Sequence, residues 1–229
     1  MRQPAYILLS AALALTLSAA AQEPAARLKD GTRVYSDTAI YQGINLKLDI
    51  GNAVLEPALS DGQRLSFEAA MNVRLKQRYY PTFELGYAQA KGGVGGGAYD
   101  GLGGFARVGL DINGLKKHPE RLNSLLVGVR LGTALQSFNQ TDSVLRATIA
   151  GQQTTWNYRN AFAADCWGEV VAGVQVQVWE GLQMGWYVRL RILFTRTRNS
   201  GEPLPYYIPG YGIRDDTAWG FNYYIGYKL

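Results

Sequence analysis

The sequence predicts an all-β fold, an eight-stranded antiparallel up-and-down transmembrane β-barrel, on three observations. Apolar and polar residues alternate with period two in eight segments, the connections between the segments run long and short in turn, and glycines keep to the face that carries the charges. Strict alternation belongs to strands, whose successive side chains point to opposite faces, and not to helices. Arg64–Lys76 shows it without a break: Leu65, Phe67, Ala69, Met71, Val73 and Leu75 on one parity, Arg64, Ser66, Glu68, Ala70, Asn72, Arg74 and Lys76 on the other.

Residues 1–21 have the features of a secretory signal cleaved after Ala21. Arg2 supplies the charged end, Ile7–Leu17 the apolar run and Ala19-Ala20-Ala21 the small-residue site. The run is shorter than the ~20 residues a membrane-spanning helix requires. Residues 22–38 form a short polar lead, on the periplasmic side in this reading, and 39–229 suit one barrel domain. Cys166, the single cysteine, has no partner within the chain; its apolar parity suggests a buried, inert thiol.

The first strand sets Ile44, Leu46 and Leu48 against Tyr41, Gly43, Asn45, Lys47 and Asp49, and Asn52–Gln63, with Pro57 and Asp61-Gly62, is expected to be a loop. The second is Arg64–Lys76. A tight Gln77–Tyr80 connection leads to the third, with Phe83, Leu85 and Tyr87 opposing Glu84, Gly86 and Ala88. A glycine-dominated loop is expected over Lys91–Gly104, before a fourth strand of Ala106, Val108, Leu110 and Ile112 against Arg107, Gly109 and Asp111. After the polar connection Gly114–Asn123, a fifth strand sets Leu125, Val127, Val129 and Leu131 against Gly128, Arg130 and Gly132. Ser137–Ala164 is expected to be the longest loop. The sixth strand (Val170–Val178, with Glu169 and Gly173 on the other face) turns at Glu180-Gly181 into the seventh (Met184–Ile192, with Arg189 and Arg191). A long loop over Thr195–Asp216 precedes the eighth, Trp219–Tyr227. The alternating loop lengths place long loops at one end and short turns with both chain ends at the other.

Alternation alone does not separate a soluble barrel, apolar within, from a membrane barrel, apolar without. Glycine placement does. Gly86, Gly109, Gly128, Gly132, Gly173, Gly185, Gly220 and Gly226 share the parity of the charged residues. An eight-stranded lumen is only just wide enough for side chains, so long Arg and Glu side chains fit there when neighbouring inward positions are nearly empty. The charged face is therefore expected inside and the aliphatic face against outer-membrane lipid.

Several segments carry a family resemblance: Leu75–Tyr87, Arg107–Lys116, Trp167-Gly168-Glu169, Gly185–Arg189, Tyr207–Gly212 and Gly220–Leu229. On these the chain resembles a family of small outer-membrane barrels of Bacteroidota, catalogued as a domain of unknown function (number 6048). The resemblance implies a barrel and the outer membrane and no particular activity.

The inward parity collects Lys47, Arg64, Arg74, Arg107, Arg130, Arg189 and Arg191 with Asp49, Glu68, Glu84, Asp111 and Glu169. Two functions suit such a set: a plug of mutually paired side chains, or a narrow channel. Glu68, Arg64 and Arg74 are expected to pair with strands one and three, through Lys47, Asp49 and Glu84. The loop Pro203–Gly212, with Tyr206, Tyr207, Pro209 and Tyr211, suits either a contact surface for other outer-membrane proteins or a lid over the barrel mouth. Asp-Ser/Thr-apolar tripeptides at Thr38, Ser143 and Thr217 resemble acceptors for periplasmic O-glycosylation.

The lone histidine, His118, lies in a turn, and no metal-ligand spacing occurs, so neither enzyme nor cofactor is expected. The glycine run Gly92–Gly97 opens no helix in a βαβ unit, so it is not a phosphate loop. The formal charge of +5 is scattered along strands rather than clustered, which argues against nucleic acid. A non-enzymatic structural or interaction protein, in one form an accessory subunit of a larger assembly, is the expectation. A channel is the alternative, and a lipid-modifying barrel enzyme the remote third.

Overall fold

The structure, a computed structural model, describes residues 40–76, 78–94, 97–115, 123–144, 154–179, 181–195 and 204–229. The expected signal segment (1–21) and lead (22–38, with Thr38), His118 and Glu180 lie outside the described residues. Eight antiparallel strands close into a barrel: β1 (Tyr41–Asp49), β2 (Arg64–Leu75), β3 (Tyr79–Val94), β4 (Gly97–Asn113), β5 (Ser124–Val144), β6 (Thr154–Gln177), β7 (Leu182–Leu193) and β10 (Thr217–Lys228). Each pairs with its neighbours in sequence, and β1 closes the ring against β10, with Leu46 opposite Tyr227 and Leu48 opposite Ile225. β8 (Tyr207–Ile208) and β9 (Gly212–Ile213) form a separate two-stranded sheet in the last long connection.

Side-chain burial follows the parity of the sequence. Along β2 the polar Ser66, Glu68, Asn72 and Arg74 are buried, while Phe67, Ala69 and Met71 are exposed. Small and bulky inward residues interlock: Gly132 has no room for a Cβ beside the Trp167 ring, nor Gly86 beside Phe105, nor Gly220 beside the Arg191 guanidinium. The lumen is filled in layers. Near the short turns lie Tyr80, Leu126, Val171, Tyr187 and Tyr224; near the long connections lie Tyr99, Phe105, Phe138, Trp167, Tyr207, Ile208 and Tyr211.

The outward apolar band runs from Leu125 to Leu135 on β5 and from Ile112 to Leu102 on β4. Ten residues at ~3.3 Å rise, tilted ~40°, span roughly 25 Å. Beyond it the outward face turns polar: exposed Ser137, Asn139 and Thr141 on β5, and Lys91 paired to Asp100 at 3.5 Å. Exposed aromatics mark both margins, with Tyr41, Tyr79, Trp179 and Tyr227 toward the short turns and Phe67, Tyr87, Phe162, Phe194 and Trp219 toward the other end.

The structure corrects five local expectations. Asn52–Gln63 is not all loop: α1 (Ile50–Leu59) forms there, capped by Asp49, whose Oδ1 accepts from the Asn52 amide at 3.2 Å. Pro57 falls in its last turns, where it ends the helix within three residues. Within the expected loop Lys91–Gly104, Lys91–Val94 and Gly97–Gly104 are strand, paired as far as Val94 opposite Gly97. Most of Ser137–Ala164 is strand as well, so β3–β6 rise beyond β7 as a tall wall. Tyr41 is exposed, because Gly43 (φ +119°) sits in a register shift that reverses the parity of its neighbours. Cys166 keeps its apolar parity but is exposed on the outward face rather than buried, its Sγ 3.6 Å from Thr133 Oγ1.

Candidate functional site: the charged lumen and its capped mouth

Inward positions on seven strands bring one charge network to the lumen centre. Arg189 of β7 lies at its hub: Nη1 is 2.9 Å from both Glu84 Oε2 and Glu169 Oε2, and Nη2 donates to Tyr224 Oη at 2.6 Å and Glu84 Oε1 at 3.1 Å. Its Nε donates to Asn222 Oδ1 at 2.5 Å. Arg107 of β4 reaches Glu68 at 2.8 Å and Glu84 at 3.0 Å, and its Nη2 donates to the Gly210 carbonyl at 2.6 Å. Its Nε is 2.9 Å from Glu169 Oε1, an ion pair without hydrogen-bond alignment. Arg130 grips Asp111 through two 2.7 Å bonds and touches Glu84 at 3.2 Å. Trp167 Nε1 donates to Glu169 at 2.6 Å. Buried charges demand this degree of pairing, since a half-satisfied network costs more than an apolar core.

The register explains the partners. Glu68 pairs across the lumen with β4 and β7, not along the sheet with strands one and three, because inward side chains converge on the barrel axis. Lys47 donates to Tyr187 Oη at 3.0 Å, and Asp49 accepts from Asn222 at 2.5 Å. Seven inward basic residues face five acidic ones, and two of the seven stand apart from the network. Arg74 lies over the Tyr80 ring, 5.6 Å from its centroid, near the short turns; Arg64 lies at the opposite end of β2. The remaining five basic residues balance the five acids.

The aromatic loop is folded inward. Tyr207, Ile208, Pro209 and Tyr211 are buried and Tyr206 is half-buried, so this segment is a lid and not an exposed contact surface. Tyr99 of the tall wall donates to the Tyr207 carbonyl at 3.0 Å, Tyr211 packs edge-on to Trp167 at 5.8 Å, and Arg191 Nη1 donates to the Tyr211 carbonyl at 2.7 Å. Arg214, which the sequence did not single out, ties the lid to β6 through Asp165 at 2.5 Å. Thr217, the one glycosylation candidate whose side chain is described, is exposed at the start of β10. Ser143 is paired within β5 opposite Thr155.

Between α1 and the lid lies a cavity of about 540 Å³, lined among others by Glu56, Arg64, Arg191, Tyr207, Trp219 and Phe221. Here the polar groups are not all paired. Glu56 Oε2 and Arg191 Nε are buried without a hydrogen-bond partner, and Arg191 is 93% buried as a residue, being 7% exposed. Burial pushes the Glu56 carboxyl above the ordinary carboxylate value, against the opposing pull of Arg191 and Arg64. No parity argument could find Glu56, because it sits on a helix that the alternation does not announce. Among the described residues no group of three or more His, Cys, Asp and Glu is placed to hold a metal ion.

No curated protein matches the chain. A family described as a domain of unknown function, DUF6048, matches residues 5–229. With the match spanning nearly its whole length, the chain belongs to the DUF6048 family.

Proposed function

We propose that the protein is an integral outer-membrane β-barrel with a closed lumen, non-enzymatic, with a structural or interaction role. The observation that carries this is its reversed sidedness: charges buried inside and a continuous aliphatic face exposed outside, over the ~25 Å height of a membrane barrel's apolar band. In water such a surface would associate indiscriminately. In hydrocarbon it is at home, and a closed barrel meets the demand that backbone polar groups be satisfied internally. The signal-like residues 1–21 and the aromatic margins support the same location.

A closed lumen speaks against the channel. Two aromatic layers and a charge layer paired across the barrel axis fill the lumen. Partners, if this is a subunit of an assembly, would meet the tall β3–β6 wall, since the tyrosine loop is committed to the lid. Fractionation of native cells tests the proposal. The mature chain is expected in the outer-membrane fraction, resistant to carbonate extraction, and silent in planar-bilayer recording. Recovery in the soluble periplasm, or a steady conductance, would overturn it.

A further inference from the structure

The barrel wall has a seam. β1 stops at Asp49, while β2 continues on one side to Arg64 and β10 on the other to Thr217. The last β1–β2 pair is Leu48 with Ala69, and the last β1–β10 pair is Asp49 with Tyr224. Above them, among the described residues, no strand separates the two edges. Odd-numbered residues of β10 direct their backbone groups toward β1, as the Tyr223 amide does in donating to Asp49 Oδ1 at 3.2 Å. Phe221 and Trp219 therefore turn theirs into the gap. On the opposite edge the Arg64 amide donates to Ser60 Oγ at 2.9 Å. α1 lies across the opening, with Gly51 packed against the Tyr223 backbone too closely for a side chain. Its exposed Val54 and Leu59 continue the outer apolar surface.

The 540 Å³ cavity lies behind this helix, within the size of small-molecule sites. Its two orphaned buried groups have opposite needs: Arg191 Nε lacks an acceptor and Glu56 Oε2 lacks a partner. They make no ion pair with each other: Arg191 Nε has only a 3.6 Å ion pair to Glu169, beyond hydrogen-bond reach, and among the described residues Arg64 brings to the same space a guanidinium that no ion pair holds. Both arginines can donate to anionic oxygen, and Glu56 can accept a hydrogen bond from a hydroxyl. Leu55, Leu59, Trp219 and Phe221 line the same cavity with apolar surface. We propose that the seam cleft binds an anionic amphiphile, its glycerol-phosphate-type head between Arg64, Arg191 and Glu56 and its alkyl chain between α1 and β10.

The direction of the chain toward lipid rests on the membrane proposal; the head site does not. Full-length protein in non-ionic detergent, titrated with oleoyl lysophosphatidic acid and followed by native mass spectrometry, tests it. One saturable adduct is expected, at least about 10-fold tighter than oleoyl lysophosphatidylcholine, whose choline screens the phosphate, and than glycerol 3-phosphate, which lacks the chain. Losing one charged hydrogen-bonding group weakens binding by about 10-fold or more; that loss is expected for Arg64→Gln and Glu56→Gln and not for Lys76→Gln at the far end of β2. Neither cleft variant touches the lumen network, so both should fold. Absence of a saturable adduct, or equal binding by Arg64→Gln, would overturn the site. Equally tight binding of glycerol 3-phosphate would overturn the chain's part in it. A soluble protein that still bound the lipid would refute the membrane proposal and leave the site standing.

Discussion

The lumen centre and the seam cleft use the same side chains to opposite effect. In the centre, Arg107, Arg130 and Arg189 meet Glu68, Glu84, Glu169 and Asp111 at hydrogen-bond distance. In the cleft, Glu56 Oε2 is buried without a hydrogen-bond partner, and Arg191 Nε has no hydrogen bond and only a 3.6 Å ion pair to Glu169. Both regions are desolvated, so the difference lies in geometry. Lumen side chains converge from opposite walls on one axis. The cleft groups come from β7, β2 and a helix that replaces a missing length of strand, and they are held apart. Satisfied charge holds a wall together; unsatisfied charge at an opening is where a ligand has something to supply.

Four substitutions sharpen that contrast. Arg189→Leu should cost most, about 3–5 kcal/mol in denaturant unfolding of the refolded barrel, since it leaves Glu84 and Glu169 short of a buried partner. Arg64→Gln should stay within about 0.5 kcal/mol; equal costs would erase the distinction between the regions. Met71→Arg should cost roughly 2–4 kcal/mol in a bilayer, as a charge on a lipid face near the midplane does. Were it neutral, and Glu68→Leu neutral too, inside and outside would be exchanged.

Gly132→Val should cost about 1–3 kcal/mol or more, because Trp167 already occupies the space a side chain would need. Gly104→Ala, which meets nothing nearer than 3.7 Å, is its silent control. The smallest effect is a pH slope. The folded state holds the Glu56 proton more tightly than the unfolded chain, because burial raises its pKa. Its contribution is therefore present at low pH and lost as pH rises through the raised value. Glu56→Gln should flatten that slope in unfolding titrations.

Where alternation of apolar and charged residues persists, the sequence reveals the structure: β2 is legible residue by residue, and the glycines told which face was inside. It failed where that contrast fades. The upper parts of β4–β6 carry small or polar residues on both faces, such as Gly101, Gly103, Ser137 and Asn139, so they resemble loops while pairing as strands. A register shift near Phe138, with Asn160 at φ +50°, further breaks the parity there. α1 hid behind Pro57, and with it Glu56. The lid was legible only as one of two uses for a tyrosine-rich loop, since burial of Tyr207 and Tyr211 depends on a wall too tall to foresee.

The central claim is the sidedness of the wall, and β2 tests it most directly. Single cysteines from Ser66 to Asn72 in a Cys166→Ala background, spin-labelled in bilayers, report contact with lipid-soluble oxygen and with a water-soluble nickel chelate. Phe67, Ala69 and Met71 should respond to oxygen, and Ser66, Ala70 and Asn72, all buried, to neither reagent. Nickel access at Phe67, Ala69 and Met71, or oxygen access at the alternate positions, would contradict it.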